Sequence, residues 1–367
     1  MRVAVLGAAG TIAPAIVRDL AESEEVESIL LLDLRGEVAE QVASEQGGGK
    51  AEAREADARS GLAAVLDGAD ALVNSASYRV NLDAMDACLD ARCHYIDLGG
   101  LYHVTARQLA RSADFAEAGL LALLGIGSSP GKTNLMAARA VRELGGRAKR
   151  VDVCAAGRDL DPPEGFSAPY ALQTLLDEVT LAPVVLRDGK PAEVEPLTDG
   201  GEVDFGEPIG AGATIYTLHS ELNTFGESFG CAECSFRLSL SGPLLERLRE
   251  LAGAGPDEVR SAAESVHRPS ADTVSVHQVD AWDGEQRVRM RALTGPHREW
   301  GLGGGIVSTA SPAAAAVRLL ARGEVDARGA LPPERCLDPE RIFAELETRG
   351  CEFTLQSDQR EAEGSRA

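Results

Sequence analysis

The first third of the chain alternates short apolar runs with amphipathic stretches. "RVAVL" leads into a glycine turn and then "TIAPAIVRDLAES", whose apolar residues recur at helical spacing. "SILLLDL" is the next apolar run. The alternation returns through "AEAREAD" to Asp57, "ADALVNSAS" to Ser77, "CHYIDLGG" to Gly100 and "LLALLGIG" to Gly127. Strands separated by helix-length segments predict a parallel sheet, because parallel neighbours need a crossover that a helix fills. The expected fold class is α/β: a doubly wound parallel sheet of the Rossmann type, its strands ordered 3-2-1-4-5-6, with the ligand at their carboxyl ends.

Beyond about residue 151 the pattern changes to longer strand-like runs between turns rich in Gly, Pro and Asp. "CAECSFRLSLSG", "TVSVHQVDAWDG" and "QRVRMRALTG" alternate apolar with polar residues, as strands of a largely antiparallel or mixed sheet do. They predict a second, α+β domain for substrate binding and dimerisation, with helices over one sheet face. "SPAAAAVRLLARGEV" reads as an apolar helix that starts at Pro312 and returns to the first domain. The expected division is a dinucleotide-binding domain over 1–125, a substrate domain over 126–305, returning helices over 306–355 and a disordered tail over 356–367. "ATIYTLHSELNTF", Ala213 to Phe225, reads as a strand with Thr217, His219, Glu221 and Asn223 on one face.

Composition narrows the partners. The 367 residues, 44% of them hydrophobic, suffice for two cores. A net charge of −22 repels phosphate backbones and anionic lipid, which argues against nucleic-acid and membrane partners and leaves a small molecule. The chain opens at "MRVAVLG" without a leader pattern, and no apolar run reads as long enough to cross a bilayer, so a cytoplasmic protein is expected. Seven scattered cysteines suit reduced thiols, and the "CAEC" at 231–234 has no second ligand pair beside it. His94, His103, His267, His277 and His297 show no metal-ligand spacing, so no metal is expected.

The chemistry begins at the first turn. Gly7, Gly10 and Ala13 form G-x-x-G-x-x-A, a loosened dinucleotide fingerprint. Gly7 permits the bend, Gly10 the approach of a pyrophosphate, and the backbone from Ala9 through Thr11 and Ile12 would face that anion. Asp33, twenty residues past Ala13, ends the second strand where a carboxylate meets the ribose hydroxyls and repels a 2′-phosphate. NAD is the expected cofactor; Arg35, able to pair with a 2′-phosphate, keeps NADP open. Asp57 and Ala58 are expected near the adenine, and Asn74 through Ser75, Ala76 and Ser77 near the nicotinamide ribose.

The GAAGTIA turn, "NSASYRVN", "HYIDLGG", "GIGSSPGKTNLMAARAV", "YTLHSEL" and "GALPPERCLDPERIFAELETRG" together resemble the saccharopine dehydrogenase-like oxidoreductases, and within them the lysine 6-dehydrogenase branch most. The likeness spans residues 1 to about 352; the PGKTN loop, the TLHSE strand and the LPPE run are its more specific parts. "NTFGESFG" stands where that branch continues into a proline-containing stretch, which leaves the substrate open. The resemblance implies hydride transfer between nicotinamide and an amine-bearing carbon of an amino acid, with oxidation of the lysine side-chain amine as the first expectation. The alternatives are a reductase that joins an amine to a carbonyl compound, as saccharopine- or carboxynorspermidine-forming relatives do, and a silent dinucleotide-binding sensor.

That resemblance also assigns roles. His219 is expected to exchange the amine proton, Glu221 to orient its ring or pair with an ammonium, and Asp97 to bind the reacting ammonium. Pro130 and Gly131 are expected to close over the nicotinamide with Lys132, and Tyr78 and Arg79 to meet a substrate carboxylate. A homodimer through the second domain is the expected assembly.

Overall fold

The computed structural model describes residues 1–359. The first sheet is built from β1 (Arg2–Leu6), β2 (Ser28–Asp33), β3 (Ala51–Glu55), β4 (Ala71–Asn74), β5 (His94–Asp97) and β6 (Leu121–Leu123), all parallel and in the order 6-5-4-1-2-3. That is the expected winding, extended by a seventh strand, Gly329–Leu331, which pairs with β6 in parallel. Successive residues of β1 feed different cores. Val3 and Val5 pack with Ile16, Val17 and Leu20 of the helix Ala13–Ala21, whereas Ala4 and Leu6 pack with Leu72, Met85 and Tyr95. A sheet buried on both faces requires the unbroken apolar runs seen in the sequence.

The second sheet contains β7 (Arg150–Asp159), β8 (Val184–Arg187), β9 (Lys190–Glu193), β10 (Asp199–Asp204), β11 (Ala211–Tyr216), β12 (Glu233–Ser239), β13 (Thr273–Trp282) and β14 (Gln286–Thr294). After β15, the Gly329–Leu331 strand just described, β16 (Cys351–Gln359) completes it. Its main path runs 10-11-12-7-13-14-16, mixed because β12 and β7 are parallel while the other neighbours are antiparallel. Strand β16 continues to Gln359, past residue 356 where a disordered tail was expected, because each residue from Cys351 on has a partner on β14. Residues 360–367 of that expected tail lie outside the described residues.

The helices Lys132–Glu143 and Gly304–Ala321 pack on β13 and β14, and the second of these also packs on the helix Ala13–Ala21 of the first sheet. It begins at Gly304, so Pro312 lies inside it and does not start it. A Cβ on Gly304 would stand 2.1 Å from the Thr294 carbonyl oxygen, so the helix lies directly on β14 and only glycine fits there. This helix is long and apolar enough to cross a bilayer, contrary to the sequence expectation, but 78% of it is buried within the protein. The seam is tied by Arg318, whose guanidinium donates to Asp19 at 2.7 Å and Glu345 at 2.6 Å.

Candidate active site

The first turn has the shape a dinucleotide needs. Gly7 has φ +83°, and a Cβ there would stand 2.6 Å from the Ala76 nitrogen and 2.7 Å from the Ala76 Cα, backbone atoms with no room to yield. The N–H groups of Gly7 and Ala8 donate to the Leu32 carbonyl at 2.8 and 3.2 Å, tying the turn to β2. Among the described residues, the N–H groups of Thr11, Ile12 and Ala13 have no acceptor, as the first turn of a helix leaves them. The Asp33 carboxylate accepts the Ala9 N–H at 3.0 Å and the Arg35 N–H at 2.9 Å. Arg35 donates to the Ala9 carbonyl at 2.9 Å, and its side chain remains 64% exposed.

On the other side of the turn Ala76 N–H donates to Asn74 Oδ1 at 3.0 Å, and Ser75 Oγ is buried with no partner among the described residues. Ser77 accepts the Arg79 N–H. Asp57 is an exposed turn residue past β3 and Ala58 is half-buried beside it. All of these stand at one edge, the carboxyl ends of β1 to β4. The glycine cradle, the unused helix-terminal N–H groups and the orphaned Ser75 hydroxyl fit a dinucleotide.

At the carboxyl ends of β5 and β6 the second unit closes over the first. Strand β11 ends at Tyr216 and the chain leaves the sheet: Leu218 N–H donates to the Glu178 carbonyl at 3.1 Å, and Ser220–Asn223 form a turn of 3₁₀ helix. The strand expected through Phe225 therefore stops nine residues early. Thr217, Leu218, His219 and Ser220 are all buried, so there is no polar face; the turn, and not strand alternation, brings His219 and Glu221 together.

His219 Nδ1 lies 3.3 Å from Glu221 Oε2, and Nε2 lies 3.9 Å from Glu178 Oε2. Phe236 stacks on the ring, centroid to centroid at 3.5 Å. The other oxygen of Glu221 accepts from Ser129 Oγ at 2.7 Å and Thr133 Oγ1 at 2.9 Å, which joins this cluster to the loop after β6. Burial alone would lower the His219 pKa, but the charge and hydrogen bond of Glu221, with the charge of Glu178, raise it above its ordinary value. Burial would raise Glu221, yet the His219 charge and the hydrogen bonds hold it low. Glu178 is different: burial pushes it up, more than His219 and the Tyr170 hydroxyl pull it down. The surroundings thus favour the protonated ring, with Nδ1 anchored on Glu221 and, among the described residues, no hydrogen bond at Nε2.

Several expected residues are placed otherwise. Asp97 is fully buried, and its carboxylate accepts from Gln108 at 2.6 Å, Gly125 at 2.7 Å, Gly99 at 2.9 Å and Asn81 at 3.2 Å. It braces the turns after β5 and β6 and has no lone pair left for a substrate ammonium. Lys132 does not close over the cleft: it starts the helix Lys132–Glu143 and points into the core, donating to Ser308 Oγ at 2.7 Å and Thr294 Oγ1 at 3.3 Å. Burial pushes its pKa down. Pro130 packs between Gly99 and Gly125, so the loop it shares with Gly131 is wedged and not free to swing. Arg79 and the Tyr78 hydroxyl both donate to Asp177 Oδ2, at 2.5 and 2.7 Å. Burial and Asp177 together push the Tyr78 pKa up to about 12.

Sequence reading missed Glu178, Asp177 and Tyr170. They sit on or beside the helix Leu172–Thr180, whose apolar spacing reads as ordinary amphipathicity and signals no role for the acidic pair. Glu334 of the LPPE run was noticed only as motif; it accepts from Asn134 at 2.8 Å and Ser228 at 2.9 Å and holds the start of the helix Lys132–Glu143. All seven cysteines are free, and among the described residues no three His, Cys, Asp or Glu are placed to hold a metal.

A dinucleotide cradle at the ends of β1 to β4 and a buried histidine–carboxylate cluster beside it are the arrangement of a nicotinamide-dinucleotide oxidoreductase. Residues 3–123 match the family model described as the saccharopine dehydrogenase NADP binding domain. The carboxyaminopropylagmatine dehydrogenase of Synechocystis sp. is 26% identical over 281 residues, covering 72% of this chain and 69% of that protein. The apo saccharopine dehydrogenase (L-Glu forming) of Saccharomyces cerevisiae superposes with a TM-score of 0.72 at 15% identity, covering 97% of this chain and 99% of that one, and so shares the fold. The chain is thus similar to the saccharopine dehydrogenase-like NAD(P)-dependent enzymes, by family model over residues 3–123 and in fold throughout. Neither relative is named for lysine 6-dehydrogenation.

Proposed function

We propose that the enzyme works in the reductive direction, converting the imine formed between a cationic amine and a carbonyl compound into a secondary amine. The observation that carries this is His219 set between two buried carboxylates, Nδ1 3.3 Å from Glu221 and Nε2 3.9 Å from Glu178. Carboxylates so placed raise the histidine pKa, which suits a group that must protonate the substrate nitrogen; oxidation of a free amine needs a neutral base there. The carboxylates also favour a positively charged substrate. The name of the Synechocystis relative describes a carboxyaminopropyl group on agmatine, a product of this kind, and moves the proposal from lysine 6-dehydrogenation to amine–carbonyl joining.

A bound reduced nicotinamide dinucleotide would supply the hydride taken up by the carbon of the C=N bond. Gly7, Gly10, Thr11 and Ile12 would hold its pyrophosphate, Asp33 its adenosine ribose, and Ser75 to Ser77 its nicotinamide ribose. His219 Nε2 would keep the substrate nitrogen protonated, Glu221 fixes the ring through Nδ1, and Phe236 blocks one ring face. Ser129 and Thr133 hold Glu221 in turn, so the loop after β6 positions the acid relative to the cofactor edge. Asp97 acts through the turns it braces.

The direct test pairs agmatine, putrescine or lysine with amino-acid semialdehydes and 2-oxo acids and follows oxidation of NADH and NADPH. The expected result is turnover only when amine and carbonyl are both present. Reduction of NAD by lysine alone at a higher rate than any such pair sustains would overturn the reading. Asp33 bears on cofactor choice: Asp33→Ala is expected to weaken NAD binding about tenfold more than NADP binding, since one charged hydrogen bond contributes about 1.5–3 kcal/mol. Equal losses in titrations of the two cofactors would remove Asp33 from the ribose.

A further inference from the structure

One ion pair reaches from one side of the candidate site to the other and has no part in the chemistry above. Asp177, on the helix Leu172–Thr180, takes Arg79 and the Tyr78 hydroxyl on Oδ2, both from the stretch that follows β4 and the Ser75–Ser77 edge. Its Oδ1 accepts from Gln173 at 3.1 Å. The next residue, Glu178, belongs to the His219 cluster, so this helix turns one carboxylate to the reacting nitrogen and the neighbouring one to Arg79. Arg79 remains 43% exposed while Asp177 is only 14% exposed. The guanidinium is the solvent-facing member of the pair, and its departure leaves the largely buried carboxylate with only the neutral donors Tyr78 and Gln173, a vacancy a second cation can fill. Asp177 also borders an open groove of about 320 Å³ that its helix forms with Leu251 and Val259.

We propose that Asp177 selects amine substrates that carry a second, remote cation, which takes the place of Arg79 on the carboxylate while Arg79 turns to the carboxylate of the carbonyl partner. This rests on the amine–carbonyl reading above and deepens it by naming the class of amine: one with an ammonium or guanidinium beyond an alkyl spacer. Without substrate the two side chains neutralise each other. With both substrates bound, one pair becomes two. Arg79 is thus a competitor of the amine, and that gives the proposal a sign that a structural cross-link lacks.

The test is calorimetric binding of agmatine and of butylamine, which lacks the remote charge, to the full-length protein with saturating oxidised cofactor. The wild type is expected to prefer agmatine by about tenfold or more, the size of one charged hydrogen bond. Asp177→Asn abolishes that preference, and Asp177→Ser repeats the test should the first variant melt early. Arg79→Ala enlarges the preference because it frees the carboxylate. Gln173→Leu takes a hydrogen bond from the same carboxylate but leaves its charge, and retains the preference. Absence of preference in the wild type, its survival in both Asp177 variants, or its decline in Arg79→Ala overturns the proposal. Failure of the functional reading shows separately, as binding without turnover of any amine–carbonyl pair, and the binding pattern still decides the role of Asp177.

Discussion

His219→Ala is expected to lower kcat by about 10²–10⁴-fold while leaving cofactor affinity unchanged, the range typical of a positioned acid or base. The ring touches the cluster through three contacts: Nδ1 on Glu221, Nε2 facing Glu178, and its face on Phe236. Among the described residues no hydrogen bond links it to the glycine turn, so dinucleotide titrations of the variant should match the wild type. A fall smaller than tenfold would make the histidine a packing group. Glu221→Gln keeps the shape and the hydrogen bonds of Ser129 and Thr133 but removes the charge opposite Nδ1. It should weaken binding of a cationic amine and release the proton from His219 at lower pH.

Gly7→Ala should be as damaging by a different route. The new Cβ meets the Ala76 nitrogen at 2.6 Å and the Ala76 Cα at 2.7 Å, in a backbone conformation at φ +83° that alanine adopts only under strain. Relief requires β1 and the stretch after β4 to separate, and these are the two walls of the proposed dinucleotide site. Dinucleotide affinity is expected to fall at least a hundredfold and stability by about 1–3 kcal/mol. A denaturant midpoint and a cofactor titration on the same sample check both, and retention of affinity would place the dinucleotide elsewhere.

Legibility followed the range of the interactions. Strands β1, β2, β4, β5 and β6 announce themselves because a sheet covered on both faces needs apolar runs, whereas the edge strand β3 has no such run, and Gly7 is legible because a turn at positive φ needs glycine. The helix start at Gly304 was hidden: Gly, Ser and Thr there have low intrinsic helix propensity, and contact with β14 stabilises the element from outside. Lys132 reads as a loop charge because its hydroxyl partners, Ser308 and Thr294, lie more than 160 positions away. His219 and Glu221 were found for a reason the structure replaces. The proposed strand alternation is absent, yet the 3₁₀ turn gathers the same two residues. Glu178 carries no local mark, since an acid beside the apolar stripe of Leu172, Leu175, Leu176 and Val179 looks solvated until Tyr170 and His219 are folded against it.

On the proposed function, His219 holds its proton between Glu221 and Glu178 and delivers it from Nε2. The most direct measurement is kcat against pH in the reductive direction, with both substrates and the reduced cofactor saturating, for the wild type and Glu221→Gln. The protonated form is the active one, so kcat should be level at low pH and fall as pH rises through a pKa above the ordinary histidine value of about 6.5. In Glu221→Gln burial is less opposed, and the falling limb should move to lower pH. A kcat that rises with pH across that range, or a falling limb that Glu221→Gln leaves in place, would contradict the account.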